Sequence, residues 1–381
     1  MGNQPKKQNA DMDTELFEVM ASSPIGAQCV VHNYEILTCG PHSHCYSYHT
    51  HKNKSKFVCS LPFNVRNDEF SILKRVNKSD PNDITLLYLG KPENEAKYLL
   101  QMPYKSVWDS DSDSDNETGL LNYNKWKPVM KEEKQTLETI SDDESFIGVR
   151  SLIGGSDNHL LFITYCPNNI SVLDLNALQY VYQGTLPIDT KIASHCFVLK
   201  NWDESSVEKR TTEMLLFCQD SGLAIEYDEI SKIPKYRRLR VCPEVRSLIH
   251  YAYLCVKDYI LFFGGYDGNM HTRKIYRYSI KEDTWIKFDC SMPFPCTSCV
   301  ALLDSDGTYL YLLGGSTESR HVKTEVKKWL KDQLNENEKQ WVVKEKEIRS
   351  IEETRMELQK MKQKFDIRNL KAKLLLLFCV Q

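Results

Sequence analysis

Tyr259-Ile260-Leu261-Phe262-Phe263-Gly264-Gly265, then Tyr266-Asp267-Gly268-Asn269, then Ile275-Tyr276-Arg277-Tyr278, is the stretch from which the fold is read. Five apolar, β-forming residues are stopped by a glycine pair, and a polar turn leads into a second β-rich run. Lys281-Glu282-Asp283 makes another turn before Trp285, and Ser291-Met292-Pro293 closes the unit. Runs this short, separated by Gly, Asp and Asn, predict a small antiparallel sheet over Lys257–Pro293 and not a helix.

The pattern repeats along the chain. Gly314-Gly315 follows Tyr309-Leu310-Tyr311-Leu312-Leu313, 50 residues after Gly264-Gly265, and apolar runs ending at Gly40 and Gly90 are again 50 apart. Leu160–Tyr165 and Met214–Gln219 have the same shape without glycine. These six anchors, at a period near 50, predict six sheet units. Val149-Arg150-Ser151-Leu152-Ile153 recurs as Val245-Arg246-Ser247-Leu248-Ile249, read here as the same first-strand position in two units.

The order apolar run, Gly-Gly, Tyr, second strand, Trp, Met-Pro resembles one blade of a kelch β-propeller. The resemblance is specific at 257–293, good at 298–315 and weaker upstream. It implies an all-β, six-bladed kelch-type propeller over residues 15–316, preceded by a disordered N-terminus at 1–14. No third or fourth strand is evident after Gly315. Glu15–Met20 therefore predicts an N-terminal strand that completes the last blade, leaving no open edge.

Two segments break the period. Residues 109–117, Asp-Ser-Asp-Ser-Asp-Ser-Asp-Asn-Glu, bury nothing apolar and predict a disordered acidic insertion at about 107–120. Residues 317–381 predict a charged helical tail: 322–373 hold 15 Lys/Arg against 10 Asp/Glu, with no Gly or Pro. Ile351, Leu358 and Phe365 recur every seven residues, but Arg355 and Lys362 fall at the partner positions. That suits a stripe docking on a partner better than a coiled coil.

The net charge of −3 argues against a nucleic-acid-binding protein, and no apolar run reaches membrane-spanning length. The 13 scattered cysteines are expected to be free and buried in a reducing, cytoplasmic setting. His42, His44, Cys45, His49 and His51 could pinch Cu or Zn, since i and i+2 share a strand face. Tyr46-Ser47-Tyr48 would instead set the two histidine pairs at opposite ends of a strand. Cys296-Thr297-Ser298-Cys299 is a lone CxxC where a first strand begins. Asp111, Asp113 and Asp115 alternate like a calcium loop but lack its glycine and glutamate. Ser110, Ser112 and Ser114 suit an acid-directed kinase better. No cofactor is expected.

The kelch resemblance implies a non-catalytic scaffold or adaptor that binds protein through loops around the central channel, with cytoskeletal or ubiquitin-ligase components as candidate partners. An actin-binding protein and a copper enzyme similar to galactose oxidase are the alternatives. The expected partner-facing residues are Arg150, Arg246, Tyr266, Asp267 and Asn269. Each arginine could equally bond backbone or a carboxylate next door. Gly264, Gly265, Tyr276, Tyr278, Trp285, Gly314 and Gly315 are read as holding the blades themselves.

Overall fold

Six four-stranded antiparallel sheets form a ring. The computed structural model describes residues 17–19, 28–40, 43–64, 69–77, 79–91, 98–108, 123–129, 145–200, 210–314 and 321–364. A two-residue strand, β1 (Glu18–Val19), comes first. Blade 1 is β2 (Gln28–His32), β3 (Glu35–Cys39), β4 (His44–His49) and β5 (Lys54–Ser60). Blade 2 is β6 (Phe70–Val76), β7 (Ile84–Gly90), β8 (Tyr98–Tyr104) and β9 (Lys127–Pro128). Blade 3 is β10 (Arg150–Gly154), β11 (Leu160–Tyr165), β12 (Asn169–Asp174) and β13 (Gln179–Thr185). Blade 4 is β14 (Cys196–Leu199), β15 (Thr211–Cys218), β16 (Ser221–Asp228) and β17 (Ile233–Leu239). A single helical turn, α1 (Pro243–Arg246), leads to blade 5: β18 (Ala252–Val256), β19 (Tyr259–Phe263), β20 (Ile275–Ser279) and β21 (Thr284–Lys287). Blade 6 is β22 (Cys299–Leu303), β23 (Tyr309–Gly314) and β24 (Val322–Glu325), with β1 as its outermost strand. A long helix, α2 (Glu336–Lys364), follows.

The innermost strands neighbour one another in the closed order β2, β6, β10, β14, β18, β22 and back to β2. Closure is made by Glu18 opposite Lys323 and Val19 opposite Val322. Second strands lie between two neighbouring blades, so both faces are covered and their sequences are continuous apolar runs; every residue of β11 and β3 is buried. Outer strands are covered on one side at most, and β5 and β13 hold no fully buried residue.

That difference explains one correction. Blade 6 has its own third strand, β24, inside the stretch read as tail. Val322 and Thr324 point inward and are buried, whereas Lys323 and Glu325 point out. A four-residue alternation among lysines carries little strand signal. The N-terminal strand completes blade 6 as its fourth, outermost strand, as the Glu15–Met20 reading predicts.

The five-residue identity is also not an equivalence. Arg150 opens β10 opposite Thr164, but Val245 and Arg246 belong to α1, and the first strand of blade 5 starts at Ala252. The cysteines need correcting too: Cys39 sits directly across its hairpin from Cys45, Cα atoms 4.3 Å apart, and the two are bonded, as are Cys296 and Cys299. Among the described residues Cys29, Cys59, Cys166, Cys196, Cys218, Cys242 and Cys255 carry no disulfide.

Candidate functional site

Antiparallel order puts the connections between second and third strands, and those between blades, on one face of the ring. Blade 5 contributes residues 264–274 to this face. Gly264 and Gly265 have φ of +64° and +99°, and a Cβ on Gly264 would stand 2.2 Å from the Cys296 carbonyl oxygen. Only glycine fits such a turn against that backbone. Gly265 N–H donates to Cys296 O at 2.7 Å, and Tyr266 exchanges both backbone bonds with Ile249. Asp267 Oδ1 accepts the N–H groups of Asn269 and Met270, each at 2.9 Å, and Tyr266 Oη donates to Gly268 O. Those amide bonds hold the Asp267 carboxyl below the usual range. The loop is thus braced from within, and Met270 stands 65% exposed at its tip.

Beneath it, Trp285 packs on Phe217, Phe262 and Tyr278, with ring centroids 5.0–5.5 Å away, and donates Nε1–H to Arg240 O. Tyr276 and Tyr278 are buried in the same cluster, which joins blades 4 and 5. Tyr278 Oη donates to Asp283 and Tyr276 Oη to Glu244. Gly314 N–H donates to His321 Nδ1; Gly315 lies outside the described residues.

The comparisons with known proteins agree with this geometry. The kelch motif matches residues 250–288, the unit of β18 to β21. The chain is a kelch-repeat β-propeller. Among solved structures, that of YjhT superposes with a TM-score of 0.51 at 12% identity, covering 80% of this chain and 95% of its own; it shares the propeller fold. No match was found among curated proteins.

The propeller does not gather its expected partner-facing residues into one patch. Tyr266, Asp267 and Asn269 share the blade 5 loop. Arg150 donates to Val149 O, and its charge reaches His195 and Tyr253. Burial, and then Arg150, holds the His195 imidazole well below its usual range; His195 Nε2 bonds the Thr164 hydroxyl at 2.7 Å.

Arg246 is already engaged by α2. Its Nη1 and Nη2 grip Glu352 at 2.8 and 2.9 Å, while Nε donates to Val241 O. Arg240 reaches Glu352 at 2.7 Å and also pairs with Glu345. Trp341 Nε1–H donates to Glu244 Oε1 at 2.7 Å, and Arg349 pairs with Asp283 at 3.0 Å. Burial would raise the Glu244 carboxyl, but hydrogen bonds from Trp341, Lys287 and Tyr276 outweigh it and bring its pKa down to about 2. The helix thus turns Trp341, Glu345, Arg349 and Glu352 to the propeller. Val343, Ile351, Leu358 and Met361, within about 80° of arc on the opposite side, stay about half or more exposed. Phe365 lies outside the described residues.

Sequence reading missed Arg240, Glu244 and Met270. Arg240 follows three basic neighbours (Lys235, Arg237 and Arg238), and nothing local separates it from them. The two histidine pairs stay apart: His44 and His49 end β4 at opposite tips, His51 lies beside His49 with ring centroids 6.1 Å apart and tilts over Tyr34, and His42 lies outside the described residues. Among the described residues no three His, Cys, Asp or Glu side chains are placed to hold a metal. The acidic residues 109–117 are likewise outside the described residues.

Proposed function

We propose that this kelch propeller is a non-catalytic platform for a protein partner, engaged through the blade 5 loop at the channel face, with the outward stripe of α2 as a second contact. The observation that carries this reading is the braced 266–271 loop. Its backbone is held by bonds inside the loop and to Ile249, His271 bonds Thr297, and its glycines fix the turn, so an exposed methionine is presented at little ordering cost on binding. Kelch propellers commonly serve as interaction scaffolds, which agrees with this role.

The test is partner capture with the full chain, comparing wild type with Met270→Asp. Loss of a defined set of captured proteins in the variant, with the melting temperature unchanged, supports the reading. Identical sets overturn it. A matching experiment with Ile351→Asp/Leu358→Asp reads the helical contact separately.

A further inference from the structure

On the face away from the 266–271 loop, the turns joining first to second strands in blades 6, 1 and 2 surround a cavity of about 900 Å3. Glu35 heads β3 and lines this cavity, yet is only 5% exposed. The hydroxyls of Ser47 and Tyr104 both donate to its Oε2, and Trp108 Nε1–H fixes Ser47 Oγ from the far side at 2.8 Å. Oε1 accepts no hydrogen bond among the described residues, and it is not one of the sealed atoms of the core. No lysine or arginine among the described residues pairs with Glu35.

A carboxylate taken out of water is costly unless a cation compensates it, and hydroxyl dipoles supply only part of that compensation. The site is therefore built around an anion with one oxygen oriented and the other free. The rest of the lining agrees in sign. Among the described residues, Asp80, Asp83 and Asp306 bring the lining carboxylates to four, against the ammonium groups of Lys52 and Lys105 in the lining and of Lys56 beside Trp108. Burial, then the charge of Lys52, holds the His49 imidazole below its usual range. The aromatic wall accepts cations: the Lys52 and Lys56 ammonium groups lie 5.3 and 4.6 Å from the Trp108 ring centroid.

We propose that this cavity binds a guanidinium or ammonium side chain presented by a basic peptide segment, with Glu35 as its counter-ion. A peptide suits the site better than a free amine because the volume approaches the upper end of ligand pockets, ~1,000 Å3, and exceeds one guanidinium many times over. The four carboxylates, Glu35 included, are also spread over three blades, so that a chain of several residues can meet more than one of them.

The experiment is calorimetric titration of the full chain with Ac-Gly-Arg-Arg-Gly-NH2, with its Glu-Glu counterpart and methylguanidinium chloride as comparison probes. The arginine peptide should bind about tenfold or more tighter than methylguanidinium, and the glutamate peptide not at all. Glu35→Gln should weaken the arginine peptide by about tenfold or more. Asp80→Asn/Asp306→Asn, on exposed turns, should weaken it by roughly two- to fivefold, with the loss shrinking as salt rises. Absence of binding, equal binding of the glutamate peptide, or unchanged affinity in Glu35→Gln overturns the proposal. Equal affinity for methylguanidinium and peptide overturns the peptide assignment. Should Glu35→Gln fail to fold, the rim variant decides alone: lost affinity supports the site and unchanged affinity overturns it. None of these outcomes bears on the 266–271 loop.

Discussion

Between blades 4 and 5, Phe217, Phe262, Tyr278 and Trp285 meet ring to ring in a cluster that includes Leu215, Leu239 and Val241. Between blades 1 and 2, the corresponding depth holds Glu35, Ser47, Tyr104 and Trp108, tied by hydroxyl and indole hydrogen bonds. The same ring is thus held by aromatic burial at one seam and, at another, by apolar clusters around Tyr88 and Met102 that a polar network edges beside a cavity. A seam that carries stability can be sealed, whereas one that recognises a charged group must keep part of that group's counter-ion accessible. The two seams should respond differently to the removal of one side chain.

The largest effect is expected from Trp285→Ala, which empties the aromatic seam and should cost about 3–5 kcal/mol of stability. Denaturant unfolding of the full chain measures this directly. Gly264→Ala comes next, at roughly 2–3 kcal/mol, because its Cβ would meet the Cys296 carbonyl at a left-handed φ. In the polar seam, Trp108→Phe keeps the ring and loses only the bond to Ser47, so about 1 kcal/mol is expected. A loss there as large as that of Trp285→Ala would erase the distinction between the seams.

Acid should act on the docked helix. The Glu244 carboxyl is held at about 2 in the folded protein and titrates near its ordinary 4.5 when unfolded. Its contribution is therefore complete above about pH 4.5 and is lost as pH falls toward 2. Tryptophan fluorescence between pH 5 and 2 should report release around Trp341, and Glu244→Gln should flatten that change. The smallest effect belongs to Arg349→Ala. Its partner Asp283 is about a third exposed, so about 0.2–1 kcal/mol is expected, diminishing with added salt.

Blade 5 was legible because its signals are local: an apolar run, a glycine pair with no alternative at its φ, and a tryptophan at the right distance. The second strands of the other blades were legible for the same reason, as continuous apolar runs. What escaped were strands with one covered face. β24 alternates among lysines, and β8 carries Pro103 within its run. The match of 149–153 to 245–249 misled because sequence identity cannot say whether a segment sits before a strand or within one. The Glu35 site left one faint mark, a lone acid at the head of Ile36-Leu37-Thr38-Cys39. Its partners Ser47, Tyr104 and Trp108 come from two other strands and a loop, and only the fold assembles them. Likewise, the charged repeat in the tail signalled a helix but not that its carboxylates would face Arg240 and Arg246.

The pairing of Glu18 with Lys323 sets a timetable for biosynthesis. At ribosomal rates of about 5–20 residues per second, roughly 15–60 s separate the emergence of these two partners. Throughout that interval Ile36 and Tyr48 of blade 1 lack Tyr311 and Leu313, which cover them in the finished ring. The nascent chain therefore carries an uncovered apolar flank for almost its entire translation. Holdase chaperones that engage such surfaces should matter most for this protein while it is still on the ribosome, and little once blade 6 has closed.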